Sequence, residues 1–226
     1  MLRSLIEEHG YAIVPGVVGA EEITRLLERI EAAALPRSRA GIRHAMKHAD
    51  VAELAQDSRL LGMVQNVLGP DAFPFRATLF DKSATANWLV VWHQDTALPL
   101  RERRETSGWG PWSVKDGVIY AHAPASALSQ VLALRVHLDD SARANGPLRV
   151  LPGSHTLGVL SDDQLHDLST KVTAADCLVP SGGVLAMKPL IVHASSKSQS
   201  KAPRRVLHIE YSASRAVNDG LELAIA

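Results

Sequence analysis

The chain has 226 residues, 46% apolar and 21% charged, with a formal net charge of zero. That balance is ordinary for a globular protein of one domain, and without a basic run it gives no electrostatic case for nucleic acid or an anionic membrane as partner. The single cysteine, Cys177, excludes an intrachain disulfide. A reducing compartment follows, with the thiol a small buried hydrophobe. No apolar run reaches the roughly 18 residues of a membrane span and no signal peptide is evident, so the expectation is a cytoplasmic protein.

Residues 2–9 read as a short helix stopped by Gly10, and "YAIVPGVV" (11–18) as an edge strand, given its proline. Residues 19–35 form an amphipathic helix with Ile23, Leu26, Leu27 and Ile30 in its stripe, acids at its start and Pro36 beyond its end. Residues 37–50 are polar and irregular, and "DVAELAQDSRLLGMVQNVLG" reads as one or two helices ending at Gly69. The pattern then changes to short β-rich runs at 73–80, 86–93, 131–138, 147–151, 184–187 and 205–212. Strands after a helical start predict a mainly β fold, a sandwich or barrel with N-terminal helices packed outside, in one domain over 1–226. The long segment 96–130 contains Trp109, Trp112 and Tyr120. Its aromatic residues argue against disorder. It reads either as a lid or pocket wall over a site, or as packing against the outer sheet.

Ten histidines invite false positives. His44 and His48 have the spacing of a helix face, but Ala45 stands where a metalloprotease helix needs glutamate, so they read as surface residues. His137 and His208 lie in predicted strands and read as hydrogen-bonded core residues, and His155 as a brace for its turn. No nucleotide-binding glycine fingerprint and no Gly-x-Ser-x-Gly elbow occurs. His93-Gln94-Asp95 remains, at the end of the apolar run "WLVVW". Side chains two apart on a strand share a face, so the imidazole and carboxylate stand together while Gln94 points away. His193 ends a second apolar run, "LIVH". Two histidines and a carboxylate on one side of a metal leave open positions opposite, which suits non-haem Fe(II) holding a co-substrate and O2. Of Arg204 and Arg205, strand alternation sends one inward, where its planar fork would bind a carboxylate.

These features resemble the phytanoyl-CoA dioxygenase family, a branch of the Fe(II)/2-oxoglutarate-dependent oxygenases. "HGYAIVPGVVGAEEITRLLERI" is similar to the family's opening strand and helix, "WHQD" to its first metal motif, "ANGPLRVLPGSH" to its middle turn and strand, and "HASSKSQSKAPRR" to its closing segment. The resemblance implies a double-stranded β-helix (a cupin-like jelly roll), with iron held by His93, Asp95 and His193. It implies 2-oxoglutarate with its far carboxylate on Arg204 and a hydrogen bond from Ser195. Arg135 stands where the family's pattern leads one to expect a smaller or aromatic pocket residue; facing inward with Ala133 and His137 it touches 2-oxoglutarate or an acidic substrate, and facing outward it is a surface charge. Thr78 and Phe80 share a face and line the same cavity.

The implied reaction hydroxylates an unactivated C–H of a small molecule, with succinate and CO2 as co-products. Retention of Asp95 favours hydroxylation over halogenation. Little chain follows the last strand, so the substrate pocket is expected from residues 37–50 and 96–130, with Trp109, Trp112 and Tyr120 as contacts and no support for a CoA-thioester substrate. Two other readings stay open: a catalytically idle β-helix that binds metal or ligand, and a jelly-roll isomerase or hydrolase using another metal.

Overall fold

The computed structural model describes residues 1–38, 41–83 and 86–225. Arg39 and Ala40, in the polar stretch expected to build part of the pocket, lie outside the described residues.

Helix α1 (Leu2–His9) stops at Gly10, whose φ of 82° suits glycine, and β1 (Tyr11–Val14) ends before Pro15. Helix α2 (Ala20–Ala32) follows Gly19, whose N–H donates to the Glu22 carboxylate at 2.9 Å. A two-residue strand, β2 (Gly41–Ile42), precedes α3 (Ala49–Ala55) and α4 (Ser58–Leu68). These are two helices because Asp57 interrupts them, its carboxylate accepting the Arg59 N–H to cap α4. The strands β3 (Phe73–Lys82), β4 (Val90–His93), β5 (Ala97–Leu100), β6 (Trp112–Lys115) and β7 (Val118–His122) follow, then the single turn α5 (Ala125–Leu128). The chain continues through β8 (Val131–His137), β9 (Leu148–Val150), α6 (Asp162–Lys171), β10 (Ala175–Cys177), β11 (Val184–Met187), β12 (His193–Ser195), β13 (Arg204–Ser212), β14 (Ala216–Val217) and β15 (Leu221–Glu222).

The major sheet has the order β1-β11-β8-β13-β3-β2, and the minor sheet β10-β9-β12-β4. The paired strands run antiparallel throughout. One face of the major sheet, with Leu79, Leu132, Leu134, Val136, Leu207 and Ile209, packs against Ile6, Ile23, Leu26, Ile30, Leu60 and Val64 of the N-terminal helices. The other face meets the minor sheet, where Ala133, Leu185 and Met187 pack on Leu148, Val150 and Cys177. Covered on both faces, β8 is buried at all seven positions, and five of them are apolar; Arg135 and His137 are the exceptions, on the face shared with Ala133. Burial pushes the Cys177 thiol up to about 12, so it is an inert filler of this layer. Two facing antiparallel sheets with helices outside one of them form a double-stranded β-helix.

The segment 96–130 departs from the expected loop. β5, β7 and β6 form a third antiparallel sheet, and β6 and β7 are joined by Asp116-Gly117, both at positive φ, a hairpin turn with the Asp-Gly signature. Pro99 is tolerated because β5 is an edge strand. This sheet and the β14–β15 hairpin close over an apolar cluster containing Phe75, Leu98, Trp109, Val217 and Leu221. Helix α6 was also unexpected, although Ser161 and Gln164 form a capping box at its start. No helix among the described residues is long and apolar enough to cross a membrane.

Candidate metal and co-substrate site

Neighbouring strands of the minor sheet deliver two imidazoles. The last residue of β4, His93, lies opposite the first residue of β12, His193, with ring centroids 4.2 Å apart. Each Nδ1 lies 2.9 Å from a carbonyl two residues back, Val91 O for His93 and Ile191 O for His193. A carbonyl can only accept, so each Nδ1 carries the proton and each Nε2 keeps a lone pair for the interior. Asp95 sits just past β4, where its N–H donates to Pro189 O at 3.0 Å. Its Oδ1 is 3.7 Å from His93 Nε2 and its Oδ2 3.5 Å from His193 Nε2. These three residues offer ligand atoms within 4.8 Å of one another. Gln94 points away: its amide donates to Gly158 O and Leu190 O and accepts the Leu160 N–H, bracing the loops behind the strand.

The charges suit a divalent cation. Burial pushes His193 down to about 4, keeping its nitrogen unprotonated at neutral pH. Burial works to raise the Asp95 pKa, but the imidazoles of His193 and His93 outweigh it and hold the carboxyl well below the usual range. Burial also disfavours charge on His93, but the adjacent Asp95 carboxylate overcomes it and raises that imidazole. Once a cation displaces the proton that Asp95 favours on His93, two ring nitrogens and one anionic oxygen, with preset tautomers, fit iron(II) on one side and leave the other open.

The floor of the site is the inner face of three neighbouring strands, β3, β13 and β8. Register sets the rows: Arg76 opposite Glu210, Thr78 opposite His208 opposite Arg135, Phe80 opposite Val206 opposite His137, and Lys82 opposite Arg204. Arg204 is the inward member of its pair, while Arg205 turns to Asp139 and Glu31. Arg135 faces inward, donating to His208 Nδ1 at 3.1 Å with its guanidinium 5.3 Å from the Phe80 ring centroid.

Sequence reasoning missed Lys82. Its ammonium donates to the Ser195 hydroxyl at 2.9 Å and to Ser196 O at 2.7 Å. Arg204 donates to the same hydroxyl at 3.4 Å and to Asn145 O at 3.2 Å. Ser195 in turn donates to Gly146 O at 2.9 Å. Lys82, Arg135 and Arg204 are 1%, 6% and 5% exposed, and among the described residues no ion pair engages any of them. Burial and mutual repulsion push Lys82 down to about 8 and Arg204 down to about 10. His137 lies beside them with neither ring nitrogen hydrogen-bonded; burial and these cations push it down to about 3. An uncompensated buried charge costs several kcal/mol, so this cluster is built for an anion.

From the triad a cavity of about 180 Å³ opens toward the third sheet, past Thr78, Phe80, Tyr120, His208 and Glu210. Tyr120 and Lys115 reach it from the β6–β7 hairpin, so that part of segment 96–130 forms a pocket wall. Trp109 and Trp112 are not among its lining side chains: Trp109 is in the apolar cluster and Trp112 packs at its edge. His44, expected at the surface, is 4% exposed, its Nε2 lying 3.0 Å from the Tyr120 hydroxyl. The helical spacing of "HAMKH" misled because His44 takes left-handed backbone, with φ 51°, before the helix begins. His137 departs from its expected hydrogen-bonded role, whereas His208 is bonded to Arg135 and His155 to Glu7 O.

The family model for phytanoyl-CoA dioxygenase (PhyH) matches residues 6–206. L-proline trans-4-hydroxylase of Streptomyces griseoviridis is 27% identical over 186 residues, 71% of this chain and 62% of the relative's length. Among solved structures, AviO1 from Streptomyces viridochromogenes Tue57 superposes with a TM-score of 0.68 at 20% identity, covering 97% of this chain and 96% of that one. EctD from S. alaskensis, solved with 2-oxoglutarate and 5-hydroxyectoine, superposes with a TM-score of 0.70 at 19% identity, covering 93% of this chain and 74% of that one. The two structures show the shared double-stranded β-helix. The family match covers most of the chain, which therefore belongs to the phytanoyl-CoA dioxygenase family.

Proposed function

We propose that the protein is an Fe(II)- and 2-oxoglutarate-dependent dioxygenase, one domain over residues 1–226, that hydroxylates an unactivated C–H of a small molecule in the cytoplasm. The observation that carries this reading is the pairing of a His93–Asp95–His193 triad with a buried, acid-free cluster of Lys82, Arg135 and Arg204. A metal-dependent hydrolase or isomerase needs the first but has no use for the second. A relative named for L-proline and a structure holding 5-hydroxyectoine support a small, free substrate.

In this reading His93, Asp95 and His193 hold the metal. Arg204 and Lys82 take the far carboxylate of 2-oxoglutarate, with the Ser195 hydroxyl oriented between them. Arg135 feels the charge of Asp95 and steadies the negative charge at the metal end. When bound, iron(II), 2-oxoglutarate and O2 supply the oxidising power, and 2-oxoglutarate leaves as succinate and CO2. The chain orients these groups and keeps water out: Phe80 and Thr78 wall the cavity, and the neighbouring Arg76–Glu210 pair neutralises its own charge. Oxygen-dependent succinate formation from 2-oxoglutarate and Fe(II) tests the proposal. It is expected with the native chain and lost in His193→Ala and Arg204→Met; equal succinate from all three overturns it.

A further inference from the structure

The cavity beyond the triad has a charge surplus at its far end. Two acids line it, and both are engaged. Asp95 belongs to the triad, and Glu210 takes the Arg76 guanidinium through two oxygens. Three cations line it: Arg76 is taken by Glu210, Arg43 has only the longer ion pair with Asp116, which does not line this cavity, and Lys115 has no acid among the described residues. Lys115, the last residue of β6, holds its ammonium 5.1 Å from the centroid of the Tyr120 ring, with Arg76 5.5 Å from the same centroid. Lys115 makes no ion pair among the described residues. Arg43 reaches Asp116 only at 3.7 Å, too long for a direct hydrogen bond. Burial and the repulsion of Arg76 and Arg43 push the Lys115 ammonium below its ordinary value.

The placement is directional. Asp95 brings the triad to the cavity and does not line the outer recess beyond it, whereas Arg43 lines both and Lys115, exposed at the end of β6, feels its charge, so the two cations mark the mouth, with Phe80 and Tyr120 also lining the cavity. Past Arg43 the cavity adjoins an outer recess of about 330 Å³ that shares Ser38 and Arg43 and adds the cations Arg37 and Lys47 and one acid, Asp116. A molecule lying along this path meets the metal at one end, rings in the middle and two cations at the other.

We infer that the primary substrate is a small carboxylic acid, its carboxylate held by Lys115 and Arg43 over the Tyr120 ring and its carbon skeleton reaching toward the His93–Asp95–His193 triad. A carboxylate offers an oxygen to each of the two cations at once. A neutral amide of the same shape offers one acceptor and no charge. The inference rests on the proposed Fe(II)/2-oxoglutarate activity and adds the substrate class.

The test uses the native chain loaded anaerobically with Fe(II) and 2-oxoglutarate, whose visible charge-transfer band reports the loaded site. Free amino acids, hydroxy acids and aromatic acids are each titrated beside their primary amides. The expected result is that one or more acids shift the band and stimulate succinate release in air, with the amides about tenfold or more weaker. Lys115→Gln and Arg43→Gln each weaken that acid about tenfold, while the band given by Fe(II) and 2-oxoglutarate stays in place. Amides acting as well as acids, no acid acting at all, or glutamine variants binding the acid as tightly as the native chain would each overturn the inference. Absence of the band from the native chain would overturn the activity on which it rests, and this inference with it.

Discussion

The Lys82 ammonium donates to the Ser195 hydroxyl at 2.9 Å, across 113 residues of chain and between the two facing sheets. Lys82 ends β3 of the major sheet and Ser195 ends β12 of the minor one, two residues beyond the triad member His193. The same hydroxyl receives Arg204, so one oxygen ties two buried cations together beside the metal ligands. This contact makes the cation cluster part of the same architecture as the triad.

Lys82→Met should separate stability from function. The ammonium is nearly inaccessible and has no acid partner, so the ligand-free chain bears its desolvation cost. The variant is expected to melt higher without ligand, by about 2–4 °C for each ~1 kcal/mol recovered. Added 2-oxoglutarate should stabilise the native chain, by about 2.7 kcal/mol at a hundredfold excess over Kd, and the variant far less. Thermal melts with and without 2-oxoglutarate check both; a variant that melts lower alone and gains as much from 2-oxoglutarate contradicts them.

The same ammonium sets a pH dependence. It sits near 8 in the ligand-free chain, against an ordinary 10.5. Below 8 it is charged and attracts a dianion, so 2-oxoglutarate affinity falls as pH rises through about 8 in the native chain and not in Lys82→Met. Folding shows the opposite trend. Between 8 and 10.5 the unfolded chain binds more protons at this group than the folded chain does, so its contribution raises stability with pH across that window. Paired calorimetric titrations and denaturation curves at pH 7 and 9.5 measure the two slopes.

Gly146→Ala should damage the co-substrate site from outside it. Gly146 has φ 66°, and an added Cβ would stand 2.3 Å from Ser196 O, the carbonyl that accepts from Lys82. Left-handed backbone and a backbone clash together predict a loss of about 2–3 kcal/mol in chemical denaturation. Weaker 2-oxoglutarate binding is expected in the folded fraction, measured by titration calorimetry. An alanine variant with native stability and affinity would show that this turn is not tightly held.

His137→Leu tests the unpaired imidazole at the floor. Both nitrogens are buried without hydrogen bonds, and a similar-sized apolar side chain removes their desolvation cost. The ligand-free variant is expected to be more stable by about 1 kcal/mol in urea denaturation. A loss of stability would mean that the ring is held by water or packing that outweighs that cost.

The sequence carried much of this fold and the triad, for local reasons. β8 is a mostly apolar run because both its faces are covered, and the stripe of α2 marks that helix's packing face. His93 and Asp95 stand out because strand alternation alone brings them together. Lys82 did not stand out, since only the register of β3 with β13 sets it beside Arg204. The third sheet was obscured by four-residue strands containing Pro99 and separated by Gly110-Pro111, which read as loop. Its Asp116-Gly117 turn was the signal available, and it would have placed Lys115 and Tyr120 on one hairpin. Trp109 drew attention as a large aromatic residue, but size alone does not separate a core ring from a substrate contact.

The most direct test of the central claim is the visible spectrum of the native chain mixed anaerobically with Fe(II) and 2-oxoglutarate. A weak charge-transfer band is expected, absent in His93→Ala and much reduced in Arg204→Ala at the same 2-oxoglutarate concentration. No band from the native chain, or an unchanged band in both variants, would contradict the assignment of iron to the triad and of 2-oxoglutarate to the cation cluster.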